Sequence, residues 1–109
     1  MATTYKVLGQ IEPSAASATT AYTVPAATQA VVSTITACNQ GTGSANIRIA
    51  VRPNGETLAD KHYLVYEAAI AASQTVAFTL GITADAADVI TVQASTATVS
   101  FNVFGTEIA

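Results

Sequence analysis

The stretch Ile47-Arg48-Ile49-Ala50-Val51-Arg52, followed at once by Pro53-Asn54-Gly55, decides the fold class. Its bulky apolar residues recur at every second position, the signature of a strand with one buried and one exposed face. Proline fixes φ at the start of the turn, and Asn or Gly accepts positive φ. Residues 52–56 therefore predict a tight turn or bulged hairpin loop, with antiparallel neighbours on either side. Three further runs repeat the alternation. Val76, Phe78, Leu80 and Ile82 alternate with Ala77, Thr79 and Gly81; Ile90, Val92 and Ala94 with Thr91, Gln93 and Ser95; Val99, Phe101 and Val103 with Ser100, Asn102 and Phe104. These four runs carry the predicted core.

Segments 5–10, 19–24, 30–39 and 61–66 are rich in Thr, Val, Ile and Tyr, which suit a pleated surface, so about eight strands are expected. Alanine and threonine dominate at 23 and 17 residues, and alanine alone would favour helix, but its arrangement shows no convincing helical period. Pro25, the Gln40-Gly41-Thr42-Gly43 stretch and Gly81 punctuate the runs. Short strands at this spacing predict an all-β, antiparallel two-sheet sandwich, jelly-roll or Ig-like. Segment 13–18 is a small-residue loop, and 84–88 is expected to make one helical turn capped by Thr83. The whole chain, 1–109, is one domain, with 1–12 and 106–109 as possible assembly arms.

Charge narrows the function. Only 10% of the 109 residues are charged, the net charge is −3, and half the chain is hydrophobic, which excludes a disordered tail. Four Lys and Arg set against seven Asp and Glu offer no basic face to neutralise phosphates, so direct nucleic-acid binding is not expected. The uncharged stretches are interrupted by Ser, Thr, Gln and Asn, which argues against a membrane helix of about 20 apolar residues. Met1-Ala-Thr-Thr-Tyr-Lys6 lacks the pattern of a secretory signal, so synthesis in a cytoplasm is expected. Cys38 has no intrachain partner and reads as a small buried hydrophobe.

Catalytic constellations are hard to assemble. His62 is the only histidine, lies near Asp60 and has no evident nucleophile beside it, so it reads as a rim or interface residue bonded to a neighbour. Asp85 and Asp88 lack the spacing of a calcium loop and read as turn carboxylates. One Cys and one His cannot complete a zinc site. No nucleophile-elbow motif is present, and Gly41 and Gly43 precede no phosphate-binding lysine. The expectation is a non-enzyme without cofactor or metal.

Composition does favour assembly. A face of Ala, Thr and Ser has few charges to desolvate and little rotamer freedom to lose, whereas each Lys or Glu would cost up to about 2 kcal/mol on ordering. Arg48 and Arg52 share a polar strand face about 13 Å apart, equally suited to solvent or to an intersubunit salt bridge. Tyr63 and Tyr66 are expected on opposite faces of their strand. Phe104 opposes the Phe101 face and is the best candidate for an exposed apolar contact.

Several stretches resemble a family of small virion structural proteins of tailed bacteriophages, notably phages of cyanobacteria. They are Tyr22-Thr-Val-Pro-Ala26, Val31-Val-Ser33 leading to Cys38-Asn39, Arg48-Ile-Ala-Val-Arg-Pro53, Lys61-His-Tyr-Leu-Val-Tyr66, Leu80-Gly-Ile-Thr83, Asp88-Val-Ile-Thr-Val92 and Ser100-Phe-Asn-Val-Phe-Gly105. The resemblance implies a passive part of the virion. Its most specific form is a β-sandwich decoration (cement) protein on the capsid surface, a homo-oligomer, as a trimer, partnered by the major capsid protein. The candidate contact residues are Tyr5, Lys6, Arg48, Arg52, Tyr66, Phe104, Glu107 and Ile108. Competing readings are a tail, neck or baseplate component and a carbohydrate-binding attachment module; the latter is weakened by the absence of Trp.

Overall fold

The structure is a computed structural model and describes residues 2–109. These residues form nine strands: β1 (Thr3–Ile11), β2 (Thr19–Thr23), β3 (Gln29–Asn39), β4 (Ala45–Arg52), β5 (Tyr63–Ile70), β6 (Thr75–Phe78), β7 (Ile82–Ala84), β8 (Val89–Ala94) and β9 (Val99–Ile108). They make two antiparallel sheets. Sheet A runs β1-β9-β3-β6, with β7 also on β3, and sheet B runs β2-β8-β4-β5. The pairing is nested: first strand with last, β2 with β8, β3 with β6 and β7, β4 with β5. A long hairpin rolled into two sheets gives this order, so the sandwich is a jelly roll.

The core follows the alternation. Ile35, Ala37, Phe101 and Val103 point inward from sheet A and meet Ile47, Ile49, Ile90 and Val92 of sheet B, all at most 1% exposed. Phe101 is the largest of the fully buried side chains. The sheets pinch together where β1 passes β2, because Gly9 lies against the Ala21 carbonyl oxygen and any Cβ there would overlap it.

Some sequence expectations need correction. The run 76–82 is two strands rather than one, so nine strands replace eight: Gly81 takes φ +63°, and Leu80 beside it is 44% exposed. Segment 84–88 is no helical turn capped by Thr83. Thr83 lies within β7, Ala87 has φ +70°, and the turn is held by the Asp85 and Asp88 carboxylates. The Pro-Asn-Gly turn forms, with Asn54 and Gly55 at positive φ, and β4 and β5 pair as expected, but the connection continues to His62. Cys38 is half-buried on the outer face of sheet A, since Ala37 and Asn39 take the inward positions.

Asn39 is fully buried at the end of β3, where the chain crosses between sheets. Its Nδ2 donates to the carbonyls of Gly43 (2.9 Å) and Ile70 (3.1 Å), and its Oδ1 accepts from the Gly41 amide and the Thr98 hydroxyl, both at 3.0 Å. One amide thus ties three crossovers, 40–44, 71–74 and 95–98. Asn39→Ala leaves several of these groups unpaired and is expected to cost about 2–4 kcal/mol. Asn39→Asp, which cannot donate when ionised, should cost more. Urea midpoints of the two variants against the parent test this ordering.

Candidate interaction surface

Facing strands place their paired residues on the same side of the sheet, so register defines the outer face of sheet A. Three rows cross β3, β9 and β1: Gln29–Ile108–Thr3, Val31–Thr106–Tyr5 and Thr34–Phe104–Val7. Thr36, Asn102 and Gln10 continue the face, with Gln10 Nε2 donating to Asn102 Oδ1 at 2.7 Å. The strand positions in these rows carry no charge, and Asp85 borders the face beside Gln29, Val31 and Ile108. Four of its residues are large, apolar and exposed: Tyr5 (82%), Val7 (47%), Val31 (39%) and Phe104 (36%).

Local irregularity shapes this patch. Ladder registers slip at Leu8 on β1 and at Ser33 on β3, on either side of β9 at Phe104–Gly105. Each slip is a bulge that adds a residue and bends its strand. Gly105 is required between them, because a Cβ there would overlap the Val31 carbonyl oxygen. The Ser33 hydroxyl donates to the Phe104 carbonyl at 3.2 Å, which ties the β3 bulge to β9.

The charged candidates lie elsewhere. Lys6 and Glu107 point to the inner side of the same ribbon, where Lys6 Nζ is 2.9 Å from Glu107 Oε1. The Tyr22 hydroxyl of β2 donates to the other carboxylate oxygen at 2.5 Å. Of the possible assembly arms 1–12 and 106–109, residues 3–11 pair with 101–108 in the β1–β9 ladder, which continues to reciprocal Ala2–Ala109 hydrogen bonds of 2.8 Å.

Sheet B carries the remaining candidates on its own outer face. Arg48 Nε contacts Glu67 Oε2 at 2.7 Å, and its guanidinium lies 4.4 Å from the Tyr66 ring centre. Arg52 donates to Thr91 Oγ1 (3.0 Å) and to the Glu56 carbonyl (2.9 Å). Both arginines are therefore engaged within the chain. The Tyr63 and Tyr66 rings, expected on opposite faces, pack edge to face with centroids 5.1 Å apart. Slips in the β4–β5 register and Glu67 at φ +55° break the strict alternation that the expectation assumed.

His62 is buried, with Nδ1 accepting from the Ala59 amide at 3.0 Å. Its Nε2 therefore carries the proton and donates to Glu56 Oε1 at 3.2 Å. The Asp88 carboxylate accepts from the Asn54 and Asp85 amides, both at 2.8 Å, so it organises two turns. Among the described residues no group of three His, Cys, Asp or Glu is placed to hold a metal ion, and no helix is long and apolar enough to cross a membrane.

No protein-family model matches the chain, and no curated protein matches it. Among solved structures it is similar to a pentameric capsid protein isolated from metagenomic phage sequences, at 16% identity and a TM-score of 0.32. The similarity covers 95% of this chain and 62% of that one, so the chain spans under two thirds of its length.

Tyr22 and Glu107 titrate at opposite extremes. Burial, and then the Glu107 carboxylate, hold the Tyr22 phenol above its usual range, so its stabilisation is complete below about pH 10 and is lost as pH rises further. The Tyr22 and Lys6 hydrogen bonds hold Glu107 below the usual carboxylate range, so its contribution is present above about pH 4.3 and fades as pH falls. Urea midpoints across the pH range should drop at both ends. Tyr22→Phe should flatten the alkaline limb and Glu107→Gln the acid limb; unchanged limbs would mean that the group does not couple to folding.

Proposed function

We propose that the chain is a structural protein of a phage virion and, more specifically, a capsid decoration protein whose sheet A outer face seats on the lattice of the major capsid protein. The observation that carries this reading is the set of uncharged strand rows on the outer face of sheet A, with Tyr5, Val7, Val31 and Phe104 exposed together. Each such side chain contributes roughly 1.5–3 kcal/mol when fully buried. The surrounding Thr, Ser and Asn residues lose little rotamer freedom when covered. Weak contacts repeated over many lattice positions hold such a protein on the particle and stabilise the form it binds by mass action.

The sequence resemblance to virion structural proteins supports the same reading, as does the jelly roll, although fold alone assigns no role. Copies are expected on the capsid surface as homo-oligomers, the trimer being the form that the resemblance implies. A carbohydrate-binding role finds no support in the aromatic pair of sheet B. One face of Tyr66 is covered by Arg48, and Tyr63 stands at 77° to it, so the two rings make no flat platform for a sugar.

Copies per particle, measured by mass spectrometry of purified virions, test the placement. A number in the hundreds, in fixed ratio to the shell protein, is expected; three, six or twelve would place the chain in the tail, neck or baseplate, and absence would end the reading. Val31→Asp and Phe104→Asp each put a charge into the face and should weaken binding to shells lacking the protein by tenfold or more, since 1.4 kcal/mol is a factor of ten. Arg52→Ala, on the opposite sheet, should leave binding within about threefold.

A further inference from the structure

The hydrogen-bond phase of β1 identifies a free edge and its partner. Ala2 and Ala109 exchange both backbone bonds, so the next bonded pairs with β9 are Thr4–Glu107 and Lys6–Gly105. The N–H and C=O groups of Thr3, Tyr5 and Val7 consequently point away from β9. No other strand of sheet A lies on that side, and residues 2–7 are all exposed. The opposite edge of sheet A is broken at 79–81 into β6 and β7, the latter only three residues long. The longest unbroken set of free edge groups in sheet A is therefore that of β1.

We propose that β1 is a homodimer junction, in which the β1 strands of two copies pair antiparallel about a two-fold axis at Tyr5. In that register Tyr5 bonds Tyr5 of the second copy, and Thr3 bonds Val7 in both directions, so the free groups of Thr3, Tyr5 and Val7 all find partners. Lys6 falls opposite Thr4 and never opposite itself, which avoids like charges at the junction. Its charge is also turned inward and already paired with Glu107. The side chains at the bonded positions, Thr3, Tyr5 and Val7, all lie on the outer face, so two sheets become one and the two apolar patches join across the axis. The contact is isologous and closes at two copies. This inference does not rest on the virion reading, and it replaces the trimer with a dimer as the free form of the protein.

The test separates strand pairing from side-chain contact. Sedimentation of the full chain should give about 22 kDa at tens of micromolar, twice the 11.1 kDa of one chain. Tyr5→Pro removes the central outward N–H without touching the β1–β9 ladder, since proline is tolerated where an edge N–H faces solvent. It should sediment as a monomer with unchanged far-UV circular dichroism, whereas Tyr5→Ala, which keeps the N–H, should remain a dimer at the same concentration. Amide exchange in the unmodified chain provides a readout that needs no variant. Thr3, Tyr5 and Val7 should gain protection as concentration rises, and Thr75, Ala77 and Thr83 on the opposite edge should not. A monomer up to about 1 mM, a trimeric mass, a Tyr5→Pro dimer, a monomeric Tyr5→Ala or protection at the opposite edge would each overturn the proposal.

Discussion

Asn39 is the constraint on which one end of the sandwich depends. Every crossing from one sheet to the other at that end leaves backbone groups that belong to neither ladder, and buried ones must find partners. No disulfide fixes the crossings, as Cys38 is a free thiol. A carboxamide solves the problem because it offers two donor hydrogens and a two-lone-pair acceptor on one rigid plane. A leucine in the same place would fill the volume and satisfy nothing, and an aspartate would repel the Ile70 carbonyl.

With that end fixed, the small residues explain how closely the sheets approach elsewhere. Ala30, Ala37, Ala45, Ala84 and Ala94 are buried, and β1 meets β2 backbone to backbone at Gly9. Small side chains inside and small side chains outside have different consequences. Inside, they thin the core and place most of the packing on Phe101, the isoleucines and the valines. Outside, they leave sheet A a low, uncharged surface from which Tyr5, Val7, Val31 and Phe104 stand out, while the arginines and their partners are gathered on sheet B.

The alternating runs at 47–52, 90–94 and 99–103 were legible because their apolar positions face one core without interruption. The nested order of the strands was not, since period-two patterns locate strands but say nothing of their long-range partners. Bulges were hidden for a related reason: an extra residue at Leu8, Ala21 or Ser33 shifts parity, and the sequence on each side still alternates. Phe104 was found through its opposition to the Phe101 face, and Tyr5 only as part of the N-terminal segment 1–12. Val31 and Val7 were missed because each has an apolar neighbour, Val32 and Leu8, that obscures the alternation. Asn39 carried one signal, an amide residue at a strand end before a glycine-rich turn, which reads equally well as ordinary turn chemistry.

Edge strands exposed on both faces are a hazard that proteins usually manage with charges, prolines or a covering loop. β1 has no proline between Thr3 and Ile11, and its only charge, Lys6, is turned inward onto Glu107. That ion pair does two things at once. It anchors the β1–β9 ribbon to Tyr22 of the other sheet, and it withdraws the one charge that would have discouraged another strand from pairing. The anchoring needs a cation on the inner side of β1 near Glu107, and Thr4 and Lys6 are the positions available there. A lysine at Tyr5 or Val7 would protect the edge but would lie on the outer face, breaking the apolar patch. The arrangement found keeps the ribbon rigid, the patch uncharged and the edge open, which is the combination a surface needs if it is to be covered in an assembly rather than left in water.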